Sequence, residues 1–208
     1  MKTIKEMLHG NLLIFTLGDL LRQLSLFITF PYFSLYIQSL GGNPIIIGLV
    51  YSLRSVAAFF VYPIAGYLSE NYNRVKIIAF TGYLYSILYL AFALAPDWRF
   101  LALVNFTLGL LVFSFPAMSS LMADSISHNY LGLSYSLWRA IPGAVGIISP
   151  FIGGYFITIL SVNVGMRLLY SLTFLVTLLI STINLKFLKE TKKVKTQEQI
   201  HGVFITFF

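Results

Sequence analysis

The sequence predicts an all-α membrane protein, a polytopic bundle of six transmembrane helices. Three observations support this. Of 208 residues, 58% are hydrophobic and only 10% are charged, against about 25% charged in a soluble domain. The chain divides into six apolar runs, each long enough for the roughly 20 residues that cross a bilayer. The connections between them are short, which makes sequence neighbours antiparallel.

The expected spans are Leu12–Ile37, Ile45–Leu68, Val75–Ala95, Phe100–Met122, Leu133–Leu160 and Arg167–Leu188. Residues 1–11 form a polar N-terminal segment. Residues 12–188 form the membrane domain. Residues 189–208 form a basic linker followed by Ile200–Phe208, an apolar tail too short to cross, which reads as the onset of a seventh helix. The N-terminus is not a cleaved signal peptide, because its apolar run is too long and carries Asp19 and Arg22. Asn43-Pro44 is an N-cap and first helical residue for span 2. Pro31, Pro63, Pro116, Pro142 and Pro150 each remove a backbone hydrogen bond and invite a bend.

Lysine and arginine give the orientation. Lys2, Lys5, Arg74, Lys76, Lys186, Lys189, Lys192, Lys193 and Lys195 fall on one side, and Arg99 and Arg167 on the other. The expectation is a multi-pass protein of the cell membrane with both termini in the cytoplasm. Trp98 fits an anchor at the outer surface. Lys186–Lys195 suits contact with anionic membrane lipid. The bases gather at one side of a membrane, so the net charge of +7 is not a nucleic-acid signal. Cysteine is absent, and His9, His128 and His201 lie far apart in sequence. No metal site and no cofactor is implied.

Gly66–Lys76 joins spans 2 and 3 in a tight reversal. Gly66 is placed for close helix approach, and Asn71 and Asn73 tolerate positive φ. Glu70 stands four residues before Arg74, the spacing at which opposite charges meet on a helix. In span 5, Gly143, Gly146, Pro150, Gly153 and Gly154 fall within an arc of about 100°, one smooth packing face. Tyr51-Ser52-Leu53-Arg54 in span 2 and Tyr135-Ser136-Leu137-Trp138-Arg139 in span 5 hint at an inverted repeat of three helices.

Gly66, Glu70, Arg74 and Lys76 resemble the loop between helices 2 and 3 of the major facilitator superfamily, with Asn71 where a base is usual and Asn73 where Gly is usual. Ser149-Pro150-Phe151-Ile152-Gly153-Gly154 resembles the superfamily's helix-5 motif, with Ser149 for the first Gly. The resemblance covers the chain as an N-terminal six-helix half, built from two inverted three-helix repeats. The family normally has twelve helices. The resemblance implies a gating cluster of Glu70, Arg74 and Asp124, which holds the outward-facing state. It also places Asn105, four residues before Gly109, where the family often has an arginine linked to proton coupling; that absence puts ordinary proton antiport in doubt.

Charges inside a span are expensive and are functional candidates by default. Asp19 and Arg22 lie three apart in span 1, on a stripe with Gln23, Leu26, Phe30 and Phe33. Arg54 lies near the middle of span 2, and Arg139 in the first turns of span 5. One acid among three arginines leaves cations that must snorkel, meet water or await an anion. The structural alternative is a bridge from Asp19 to Arg22 or Arg139, with Arg54 bonded to helix carbonyls. The resemblance implies a secondary transporter, antiporter or symporter, working by alternating access. The solute is an organic anion or drug-like compound, with Arg54 as main contact and Asp19 as a possible proton carrier. Its partners are that solute, lipid and a second six-helix half, from a continued chain or a homodimer. The alternative is a non-transporting fragment or assembly subunit. An intramembrane enzyme is disfavoured, because Gly132-Leu133-Ser134 lacks a later histidine and Asp19 has no second aspartate deep in a span.

Overall fold

A computed structural model describes residues 10–126 and 130–191. Lys2, Lys5, His9, His128, Lys192, Lys193, Lys195, His201 and the tail Ile200–Phe208 lie outside the described residues. Within them, six helical spans are long and apolar enough to cross a membrane: Gly10–Ser39, Pro44–Asn71, Arg74–Ala93, Trp98–Ser125, Gly132–Leu160 and Val162–Phe187. They are numbered spans 1 to 6. The near end holds Gly10, Asn71–Arg74, Ser125 and Phe187, and the far end holds the alternate turns.

Polar residues at the turns start the helices. Asn43 accepts from the Ile46 amide at 2.9 Å with Pro44 in the first turn. Asp97 does the same for Phe100 at 2.9 Å. Asn73 caps span 3 by accepting from the Lys76 amide at 2.8 Å, with φ −66°. The reversal between spans 2 and 3 therefore uses asparagine as a cap and not for positive φ. Asn71 ends span 2, and its side chain donates to the Tyr67 carbonyl. Ser161 is the only described non-glycine residue with positive φ, at 72°. It alone separates spans 5 and 6.

The prolines act unequally. Pro31 lies in a 3-10 turn, Phe30–Tyr32, inside span 1. Span 4 breaks at residues 111–113. Pro116 lies just beyond, and its ring would clash with the carbonyl four residues back, at Val112. Pro63, Pro142 and Pro150 sit within unbroken helices. Span 6 begins five residues earlier than the sequence suggests, so Arg167 lies inside the helix and not at its first position.

The main span pairs are 3 with 6, 1 with 5, and 2 with 4. Exchanging spans 1–3 with spans 4–6 maps 1·5 onto 4·2 and leaves 3·6 in place, as two inverted repeats require. The spans 1·5 contact rests on glycine. A Cβ at Gly153 would stand 2.2 Å from the Ile28 carbonyl oxygen, and one at Gly154 2.6 Å from the Tyr32 hydroxyl. That hydroxyl donates to the Pro150 carbonyl at 2.8 Å. Gly146 packs on Phe27. Gly143 meets nothing within 4 Å, and neither does Gly66. Both were expected in close contact. In spans 2·4, a Cβ at Gly109 would lie 2.3 Å from the Arg54 carbonyl oxygen.

Two buried apolar clusters result. The far one centres on Tyr36, Ile37, Val50, Leu101 and Met166. The near one centres on Phe15, Ile78, Leu121, Met122 and Trp138. Spans 2 and 5 are covered least, with 17% of their most apolar windows buried, against 33–39% elsewhere.

Gly109→Ala is expected to destabilise the protein by about 1–3 kcal/mol, because the added methyl meets backbone that cannot swing aside. Gly143→Ala opens onto free space and should leave thermal unfolding in detergent within about 0.5 kcal/mol of wild type. Equal melting losses for both variants would contradict this packing.

Candidate functional site

A cavity of about 230 Å³ lies between the two clusters. Asp19 and Arg22 of span 1, Arg54 of span 2 and Arg139 of span 5 all line it. The structure thus gathers Asp19, Arg22, Arg54 and Arg139 at one place.

Each is held differently. Asp19 is 5% exposed. The Arg22 Nε and its terminal nitrogen both reach Asp19 Oδ1 at 2.9 Å. That one-turn pair neutralises two of the four charges. Arg139 is held by π-faces, with its guanidinium carbon 4.8 Å from the Trp138 ring centre and 5.9 Å from that of Phe115. Arg54 has no hydrogen bond and no ion pair among the described residues. The cavity therefore carries two positive charges without an acidic counterpart, Arg139 against aromatic faces and Arg54 with no described side-chain partner.

Asn105 lies apart from this group. It is buried, and its amide donates to the Val50 carbonyl at 2.7 Å. Together with Gly109 it presses span 4 against the backbone that carries Arg54. The stripe on span 1 also splits. Asp19, Arg22 and Leu26 line the cavity, but Phe33 joins the far cluster and Phe30 is 60% exposed. The 3-10 turn at Pro31 rotates the outer part of the span away. Tyr85 and Tyr89 of span 3 also line the cavity. The Tyr85 hydroxyl donates at 2.8 Å to the Leu111 carbonyl, which the break in span 4 leaves available. Sequence reasoning missed both tyrosines, although their spacing of four puts them on one helical face.

At the near end Arg74 is 5% exposed. Its side chain donates to the Ser69 carbonyl at 3.0 Å and to Asp124 Oδ2 at 2.5 Å. Glu70 and Lys76 are exposed. Glu70 and Arg74 stand on different helices, so the helical four-residue spacing does not apply to them. Two residues were missed. Glu190 Oε2 accepts from the Arg74 and Val75 amides at 2.6 and 3.3 Å, a carboxylate on the positive end of span 3. Asn11 donates to Ser125 Oγ and the Lys189 carbonyl, both at 2.8 Å, and accepts from the Lys189 amide at 2.9 Å. Spans 1, 3, 4 and 6 are thereby joined. Glu190 is the single acid in the run Lys186–Lys195, and that isolation was the available signal. At the far end Arg167 donates to the Ala93 and Ala95 carbonyls at 3.1 and 2.6 Å.

The chain was compared with known proteins. A family model described as Major Facilitator Superfamily matches residues 15–204. The chain is similar to the multidrug resistance protein MdtG of Serratia proteamaculans, 28% identical over 201 residues, covering 92% of this chain and 47% of that protein. It is similar to the multi-drug resistance efflux pump PmrA of Streptococcus pneumoniae, at 24% identity over 81% of this chain and 43% of that one. The chain spans about half the length of these curated relatives. In fold it is similar to a bacterial homologue of the human lysosomal transporter Spinster, solved inward-facing and occupied, with TM-score 0.71, 15% identity, and coverage of 90% of this chain and 46% of that one.

Removing the carboxylate with Asp124→Ala should cost about 1–3 kcal/mol, because Arg74 stays buried with one partner fewer. Glu190→Gln should cost about 0.5–2 kcal/mol through the weakened cap. Thermal unfolding in detergent reads both, and unchanged melting for Asp124→Ala would show that the pair carries no stability.

Proposed function

The chain belongs to the Major Facilitator Superfamily, and from that premise we propose that it takes part in moving a small solute across the cell membrane by alternating access, as a secondary transporter. The solute is an organic anion or a drug-like compound carrying one. A single observation carries this reading: Arg54 stands in a mid-membrane cavity with no acidic partner among the described residues, beside an Asp19–Arg22 pair that is already satisfied. An anion entering there gains a charge-assisted hydrogen bond at little cost in broken contacts. Asp19 then serves to position Arg22.

The near-end contacts suit a gate. Arg74, Asp124 and Glu190 hold spans 3, 4 and 6 together in the form described, and opening toward that side would exchange these bonds for water. Gating needs only a small difference between the two states. With the near end on the cytoplasmic side, both termini lie in the cytoplasm, as the basic residues imply. The thinly covered spans 2 and 5 support a second six-helix half as partner, supplied by a longer chain or by a second copy. The relatives' double length favours the first arrangement.

Arg54→Gln should lower transport of anionic solutes at least about 10-fold, the loss of one charge-assisted bond, with expression and melting preserved. Cells expressing the wild type and the variant within their complete transporter provide the assay. Intact transport of every anionic solute by the variant would sink the anion reading. Detergent-corrected mass of the purified 208-residue chain separates the two partner arrangements. A stable dimer of 23.4 kDa subunits supports self-assembly, and a monomer supports half of a longer protein.

A further inference from the structure

The cavity contains more than charge. Four aromatic rings form a near-parallel column: Tyr85, Tyr89, Tyr170 and Phe92. Successive rings are tilted by 21°, 13° and 18°, with centroids 6.5, 6.5 and 5.0 Å apart. These spacings lie within the range of attractive offset stacking. Phe92 and Tyr170 close the column inside the far cluster, where Phe33 meets both edge-on. Tyr85 ends it in the cavity, with a stacked neighbour on one side only among the described residues. Its hydroxyl bond to Leu111 fixes the ring in place.

Arg22, Arg54, Tyr85 and Tyr89 line the same cavity. Arg22 is taken by Asp19, and Arg139 is spread over the Trp138 and Phe115 faces. One cation without a described side-chain partner therefore shares the cavity with the last ring of the column.

Resting on the anion reading above, we propose that the cavity selects a planar aromatic monocarboxylate, whose ring extends the column beyond Tyr85 while its carboxylate meets Arg54. The carboxylate replaces its water by a guanidinium whose position is set from behind. Asn105 and Gly109 hold the span 2 backbone at Val50 and Arg54 against span 4. The ring gains a π-face that an aliphatic ring of similar size cannot use equally well. Selection for flatness thus adds to selection for charge, and the two come from different residues.

Benzoate, cyclohexanecarboxylate and benzamide are the probes, titrated against the complete transporter in lipid nanodiscs with tryptophan fluorescence as readout, since Trp138 lines the cavity. Benzoate is expected to bind about 3- to 10-fold more tightly than cyclohexanecarboxylate, the effect of one stacked ring pair, and benzamide weakly. Tyr85→Leu should collapse the preference for benzoate over cyclohexanecarboxylate to about 1. Arg54→Gln should abolish both carboxylates. Helical content by circular dichroism confirms that each variant is folded. Equal wild-type affinity for the two carboxylates, both lost in Arg54→Gln, overturns the aromatic inference and leaves the anion reading standing. Benzoate binding that survives Arg54→Gln, or benzamide bound as tightly as benzoate, overturns both. Absence of saturable benzoate binding also overturns the proposal.

Discussion

Span 3 is held at its two ends by charges of opposite sign, and the arrangement of the bundle depends on that hold. Glu190, just past span 6, receives the amides that open span 3. Arg167, in the first turns of span 6, donates to the carbonyls of Ala93 and Ala95 at the close of span 3. Each charge meets the helix end of opposite partial charge and satisfies backbone groups that lipid cannot. Between the two ends Gly82 lets Ser181 lie against the helix backbone. Among the three main span pairs, 3·6 is the one that the inverted repeat maps onto itself, so fixing it sets the frame on which pairs 1·5 and 2·4 are hung.

That frame leaves a polar chamber in the middle of an apolar body. The clusters above and below it are conventional packing, and the cations between them are the expensive part. Their cost is lowered by three different devices: an ion pair for Arg22, aromatic faces for Arg139, and an open cavity for Arg54. The last device works only where water or a ligand can reach. The same residues therefore explain both how the fold tolerates the charges and why the chamber can take an anion.

The sequence made much of this legible. Apolar runs locate spans because the bilayer demands length and purity of composition, so all six appear with ends shifted by a few residues. Charges within those runs mark the chamber because few structural uses justify them. Contacts between helices were less readable. Gly66 and Gly143 share the spacing of packing glycines, yet nothing lies against them, whereas Gly109 and Gly153 touch backbone. Which helix faces which is a tertiary outcome that one-dimensional spacing does not encode. Asn105 illustrates the same limit: a polar residue in a span can serve the chamber or a neighbour's carbonyl, and only the fold shows that it serves Val50. Glu190 was hidden by its basic surroundings, since the helix end it caps leaves no mark in the sequence.

The single residue between spans 5 and 6 has a mechanical meaning. Ser161 leaves no slack, so the far ends of those helices cannot slide past each other. Any axial push on span 5 passes into span 6, and from there through Arg167 and Glu190 into span 3. Through Gly153 and Gly154, which let Tyr32 lie on the span 5 backbone, span 1 is geared to the same movement. Four of the six spans, 1, 3, 5 and 6, are thus joined in series.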